Sequence, residues 1–239
     1  MGDVILLASG KGGVGKTTFA ANLGVTLALR GAKVVLMDLN MGLRNLDIYL
    51  GLENEVLFDV ADVVSGVCNV RKALIRDIRF KDLYLLPATQ YKEVVGITPG
   101  HMKALCDKLR DNFDVVLVDG PVGVGEDLRL CSAGVSRAIV VVSPDYSALR
   151  NADMVDRKLQ DIGIQSRCYV VNMVKPELFG RNVVPDLGEM ADTFRITMVG
   201  IIQYDENINI ANNRGYPVVC RRDTYIAKNF DSIAKRLFG

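Results

Sequence analysis

Residues 9–18 read SGKGGVGKTT, and the place of that stretch in the chain decides the fold. An apolar run, DVILLA at 3–8, comes directly before it, and a helix-compatible run over about 16–30 comes directly after. Gly10, four residues, then Gly15-Lys16-Thr17 satisfy GxxxxGK[ST], a pattern with meaning only between a strand and a helix. Its glycines, Gly12, Gly13 and Gly15 with Val14 among them, let backbone N–H groups turn inward as a nest for phosphate oxygens. The helix that follows adds the positive end of its dipole. Lys16 can reach the β and γ phosphates and the Thr17 hydroxyl can ligate Mg²⁺, with Thr18 completing the nucleotide-contacting run.

Outward from this loop, short runs rich in β-branched residues and leucine alternate with helical patterns. Strands are expected at 3–8, 33–38, 83–87, 114–119, 137–143, 167–172 and 197–202, and helices at about 16–30, 57–64, 70–76, 99–111, 146–162, 185–194 and 223–237. Gly31 and Gly163 stand as stops behind the first and fifth helices. The strands are apolar almost throughout, as parallel strands covered on both faces must be. Alternation of this kind predicts an α/β fold: a doubly wound, mostly parallel sheet with helices on both faces. No linker or repeat interrupts it, so residues 1–239 read as a single P-loop domain.

Composition narrows the chemistry. Net charge is +1, which supplies no global field for nucleic acid, and none is expected as a partner. Five scattered cysteines without a CxxC fit reduced thiols in a cytoplasmic protein. One histidine, His101, excludes a His-based zinc site or a Ser-His-Asp triad. The start, MGDVILLAS, has neither a secretory signal nor the myristoylation pattern, and no apolar run of about 18 residues exists to span a bilayer.

With its early lysine, KGGVGKTT (11–18) resembles the deviant phosphate loop of the MinD/ParA ATPases. GLRNLDIYLGLEN (42–54), ALIRD (73–77), LYLLPATQ (83–90), DVVLVDGPVG (114–123) and NRGYPVV (213–219) extend the resemblance over essentially the whole chain, and GLRNLD and LYLLPATQ narrow it to the family's MinD branch. The resemblance implies ATP and Mg²⁺ as cofactors, hydrolysis of ATP and a sandwich homodimer formed on ATP binding. It implies that Lys11 crosses to the partner's phosphates, the part an arginine finger plays elsewhere.

Asp119, ending an apolar run, takes the place of the carboxylate that holds a magnesium-bound water, and Asp38 occupies the equivalent place in the first switch loop. Gly123, in GPVG, is expected to offer its N–H to the γ phosphate. Asn172 matches the residue that reads adenine, followed here by Met173 where arginine is usual, and Asp205 falls in a second base-contacting segment. Residues 150–161, RNADMVDRKLQD, resemble the helix that lines the dimer interface and the partner groove.

Asn40 stands where the family has a second aspartate that positions and polarises the attacking water. Its amide keeps the shape but carries no charge and accepts no proton, so slower hydrolysis is expected. The resemblance implies MinC-like and MinE-like partners and a role in placing the division septum. It also implies a basic amphipathic tail beyond a segment such as IAKRLFG, which these residues do not include. Attachment to the inner face of the cell membrane is expected only through such a tail. Two alternatives stand beside the switch: a hydrolysis-impaired ATP-binding scaffold or regulator, and a DNA-segregation ATPase of ParA type.

Overall fold

The computed structural model describes residues 1–91 and 96–239. Among the described residues there are eight strands: β1 (Asp3–Ser9), β2 (Val34–Asp38), β3 (Ile75–Arg76), β4 (Leu83–Leu86), β5 (Val115–Val122), β6 (Arg137–Val142), β7 (Ser166–Val174) and β8 (Thr197–Gln203). They form one sheet in the order β3-β4-β2-β5-β1-β6-β7-β8, parallel except for the β3–β4 edge pair. The α-helices are α1 (Lys16–Leu29), α2 (Leu46–Leu50), α3 (Val60–Val64), α4 (Val70–Ala73), α5 (Pro99–Arg110), α6 (Glu126–Cys131), α7 (Tyr146–Asp161), α8 (Leu187–Thr193), α9 (Glu206–Asn213) and α10 (Tyr225–Phe238).

All seven expected strands form. The expected helix over 70–76 does not run its length: α4 stops at Ala73, and Ile75 and Arg76 turn back to pair antiparallel with Leu85 and Tyr84. An expected start at 57 moves to Val60, because Asp59 caps the backbone N–H groups of Ala61 and Asp62. The short helices α2, α6 and α9 have five, six and eight residues, too few for a helical period to register. Both expected glycine stops hold, with φ of 95° at Gly31 and 100° at Gly163.

Two helical layers cover the sheet. One holds α1, α2, α9 and α10, and the other holds α3, α5, α6, α7 and α8, with β1 and β5 touching both. The first layer is built around α1, which is apolar on nearly every side and buried from Phe19 to Ala28. Its cover is α10, whose buried face runs through Ile226, Phe230, Ile233 and Leu237. The Phe19 and Phe230 rings lie 5.6 Å apart. Among the described residues no helix is long and apolar enough to cross a membrane.

Because α10 closes the core over the phosphate-loop helix, Phe230 should be a principal anchor of the fold. Phe230→Ala is expected to cost about 3–5 kcal/mol of unfolding free energy in a urea titration, the range for emptying a fully buried aromatic site. A loss below about 1 kcal/mol would mean that α10 is a detachable cover.

Candidate nucleotide site

The site forms at the carboxyl ends of β1, β2 and β5, where the register sets the charged groups side by side. Asp38, at the end of β2, is paired directly with Asp119 of β5, and Asp119 stands beside Leu7 of β1. The chain leaves β1 into the phosphate loop and enters α1 at Lys16. Gly13 and Gly15 take φ of 79° and 83°, conformations costly for any residue with a Cβ. Gly15 caps α1 without a side-chain hydrogen bond, so the first turn keeps N–H groups for a ligand.

Lys16 is only 5% exposed, and its Nζ donates to Asp119 Oδ1 at 2.6 Å. Thr17 Oγ1 donates to the other oxygen, Oδ2, also at 2.6 Å. Asp38 Oδ1 accepts from the Asn40 N–H at 2.8 Å, and Oδ2 accepts from the N–H groups of Asn45 and Leu46, each at 3.2 Å. The first switch loop is therefore wound around the Asp38 carboxylate. Burial, followed by the neighbouring Asp119 charge, pushes Asp38 up from 3.8 to about 7. Its backbone donors and Lys16 oppose that shift without cancelling it.

A cavity of about 410 Å³ opens over the phosphate loop. Lys11 to Thr18 line one side, Asn40, Leu43 and Val122 lie at the two switch loops, and Tyr49, Met173, Asn209 and Asn212 form the remaining walls. Asn40 thus faces the same space as Lys16 and Thr17. Ser9 also belongs to the lining, and its hydroxyl is buried without a hydrogen-bond partner.

Several expected residues are engaged otherwise. Asn172 Nδ2 donates to the Val14 carbonyl at 2.8 Å and lies where a Gly15 side chain would have to go, so in this structure it braces the phosphate loop. The Gly123 N–H donates to the Ser9 carbonyl at 2.8 Å, with β5 continuing through Gly120-Pro121-Val122 before it. Asp205 lies outside the cavity lining; it caps α9 through the Asn207 N–H and accepts the Tyr225 hydroxyl. Lys11 is folded away from its own loop onto the start of α7, where Nζ reaches both Asp145 oxygens at 3.1–3.2 Å and Ser147 Oγ at 2.9 Å. With the Ser147 hydroxyl and the Ala148 N–H, that lysine holds Asp145 down at about 2.

Sequence reading missed Tyr49, Asn209 and Asn212. Asn212 is 7% exposed and donates from Nδ2 to Thr18 Oγ1 at 2.9 Å, tying α9 to the first turn of α1. The asparagine-rich run ENINIANN was its only signal. The approach of α7 is equally close: a Cβ on Gly10 would lie 2.3 Å from the Asn151 carbonyl carbon.

The donors fit Mg²⁺. Two carboxylates share a dry floor with one lysine, Asp38 holding a proton up to about pH 7 where no cation offsets Asp119, and the Thr17 hydroxyl adds a hard oxygen ligand of the kind magnesium takes. Among the described residues no three His, Cys, Asp or Glu side chains gather into a metal cage. A magnesium ion would rest on Thr17 and Asp119, with Asp38 behind, and complete its shell with water and substrate oxygens.

A strand, a phosphate loop and a helix, with carboxylates side by side on two adjacent strands, define the P-loop nucleotide-binding class. The chain belongs to the CobQ/CobB/MinD/ParA nucleotide-binding family, whose model matches residues 5–218. The septum site-determining protein MinD of Bacillus subtilis is 38% identical over 241 residues, covering 100% of this chain and 90% of that protein. Among solved structures, the MinC:MinD cell division complex of Aquifex aeolicus superposes with a TM-score of 0.92 at 34% identity, covering 98% of this chain and 95% of that one. MinD of Pyrococcus horikoshii, solved with Mg-ADP, gives 0.87 at 27% identity, covering 100% of this chain and 96% of that one.

The Asp38 shift has a consequence for the metal-free protein. A carboxyl raised from 3.8 to about 7 keeps its proton in the folded state after losing it in the unfolded one. Its stabilisation is complete below about pH 4 and is lost as pH rises through about 7. In EDTA, the thermal midpoint should fall from about pH 5 to about pH 7.5, and Asp38→Asn should flatten that fall. Identical pH profiles for the two proteins would show that Asp38 is ionised throughout.

Proposed function

We propose that this chain is an ATP-hydrolysing switch of MinD type that acts in placing the division septum, with turnover slowed at Asn40. The reading is carried by one observation: Lys16 and Thr17 converge on Asp119, beside Asp38, beneath a cavity that Asn40 also faces. ATP is the substrate, and water attacks its γ phosphorus to give ADP and phosphate.

In phosphoryl transfer the protein mostly positions groups and meets charge. On binding, the triphosphate displaces Asp119 as the partner of Lys16, and the loop N–H groups and the first turn of α1 take the remaining oxygens. Mg²⁺, when bound, neutralises phosphate charge and leaves Thr17 and Asp119 to orient it. Asn40 can hold the attacking water by its amide oxygen but cannot take its proton. Asn172 would read the adenine edge by its remaining amide valences, and Gly123 would turn its N–H from Ser9 to the γ phosphate.

ATP binding brings two copies together, and Lys11 exchanges Asp145 and Ser147 for the partner's phosphates. The Aquifex complex supports a MinC-like partner for this chain, and α7, with Arg150, Met154 and Arg157 on its exposed side, is the surface we assign to partners. A MinE-like activator and anionic membrane complete the cycle, with the protein cytoplasmic between visits and attached through a tail. A second reading, an ATP-binding regulator with little turnover, is favoured by Asn40 and by Asn151, which stands where the family has an aspartate.

Steady-state and single-turnover hydrolysis separate the two. Asn40→Asp should raise kcat by about ten-fold or more, with KM for ATP held within about two-fold, because only the water's orientation and proton are affected. An unchanged kcat would remove Asn40 as the limit on turnover. Wild-type turnover too slow to complete one cycle would favour the regulator.

A further inference from the structure

We infer that Arg79 is a positioning residue for nucleotide binding: from outside the cavity, its guanidinium sets the spacing of two of the cavity's walls, α2 and α9. The inference rests on the ATP-binding reading of that cavity. Arg79 lies in the turn between β3 and β4 and has no place among the residues that line the site. Four hydrogen bonds nevertheless radiate from its side chain. Nε donates to Asp77 Oδ1 at 2.8 Å and Nη2 to Asp77 Oδ2 at 2.6 Å, a forked pair on a carboxylate only 1% exposed. Nη2 also donates to the Leu50 carbonyl, and Nη1 donates to the Gly215 carbonyl at 2.9 Å.

Those two carbonyls belong to the walls. Leu50 is the last residue of α2 and follows Tyr49, which lines the cavity. Gly215 ends the turn after α9, and its N–H donates to the carbonyl of Asn212, the wall residue bound to Thr18. The chain segments after α2 and α9 meet backbone to backbone at Gly51 and Gly215, where a Cβ on Gly215 would lie 2.5 Å from Gly51 Cα. No side chain of either glycine fixes the spacing at that point, and the guanidinium holds a carbonyl from each segment. The Phe80 and Tyr216 rings, centred 5.6 and 5.7 Å from the Arg79 carbon, keep the fork in place. A lysine would keep the charge but present no planar fork to two carbonyls and a carboxylate together.

Because Arg79 acts directly on the walls and reaches the phosphate loop only through Asn212 and Thr18, its loss should separate two affinities. Calorimetry with Mg²⁺ would measure ATP and inorganic tripolyphosphate binding to wild type, Arg79→Ala and Arg79→Lys. ATP should bind about ten-fold more weakly to both variants, the value of about one lost contact, while tripolyphosphate stays within about two-fold of wild type. At saturating ATP, kcat should also stay within about two-fold.

Gly215→Ala, which keeps Arg79 but wedges the walls apart, should show the same split, so the test survives if Arg79→Ala does not fold. Unchanged ATP affinity in the variants, full rescue by lysine, or equal weakening of ATP and tripolyphosphate would each overturn the inference. Wild type that binds tripolyphosphate but not ATP would instead overturn the nucleotide reading beneath it.

Discussion

The structure depends on a buried ion pair, Lys16 with Asp119, whose side chains are 5% and 0% exposed and 2.6 Å apart. Burying two charges is costly, and removing either partner strands the other in a dry site. The pair survives because the fold supplies everything around it. Parallel pairing of β1 with β5 brings the Asp119 carboxylate under the loop that leaves β1, and Thr17 satisfies its second oxygen. Pairing of β5 with β2 then places Asp38 alongside, a second carboxyl that the single lysine does not balance and that burial and Asp119 hold protonated up to about pH 7. In the proposed function a cation would relieve that repulsion, and a triphosphate would take Asp119's place on Lys16.

From that floor, direct contacts lead to the surface. Gly10 lies against the backbone of Asn151, so the phosphate loop and α7 cannot shift independently. Lys11 joins the same two elements through Asp145 and Ser147. On the other side, Asn212 ties α9 to Thr18, and the Asp38 carboxylate gathers the first switch loop through three backbone N–H groups. The phosphate loop thus touches α7 on one side and α9 on the other, and the Asp38 carboxylate reaches the first residue of α2.

Much of this was legible in the sequence because its signals are local. SGKGGVGKTT fixes a loop between a strand and a helix, and apolar runs of four to eight residues identify buried strands wherever they fall. Asp38 and Asp119 could be placed because each ends such a run. What escaped depends on tertiary contact. Ile75 and Arg76 looked like the end of a helix, and pairing with β4 made them an edge strand. Tyr49, Asn209 and Asn212 have no spacing of their own and reach the cavity only through the packing of α2 and α9. Asn172 and Asp205 were placed by residue type alone, and the hydrogen bonds they make here, to the Val14 carbonyl and at the start of α9, had no signal in the sequence. Residue type cannot reveal which hydrogen bond a side chain makes when several are in reach.

The central claim, that the paired carboxyl groups beneath the phosphate loop receive a magnesium nucleotide, can be tested without hydrolysis. ATP binding should be measured calorimetrically with and without Mg²⁺, in the wild type and in Asp119→Asn. The account predicts that Mg²⁺ tightens ATP binding at least about ten-fold in the wild type and that the gain disappears in the variant. ATP binding that is indifferent to Mg²⁺ in the wild type, or a magnesium gain that survives intact in Asp119→Asn, would contradict it.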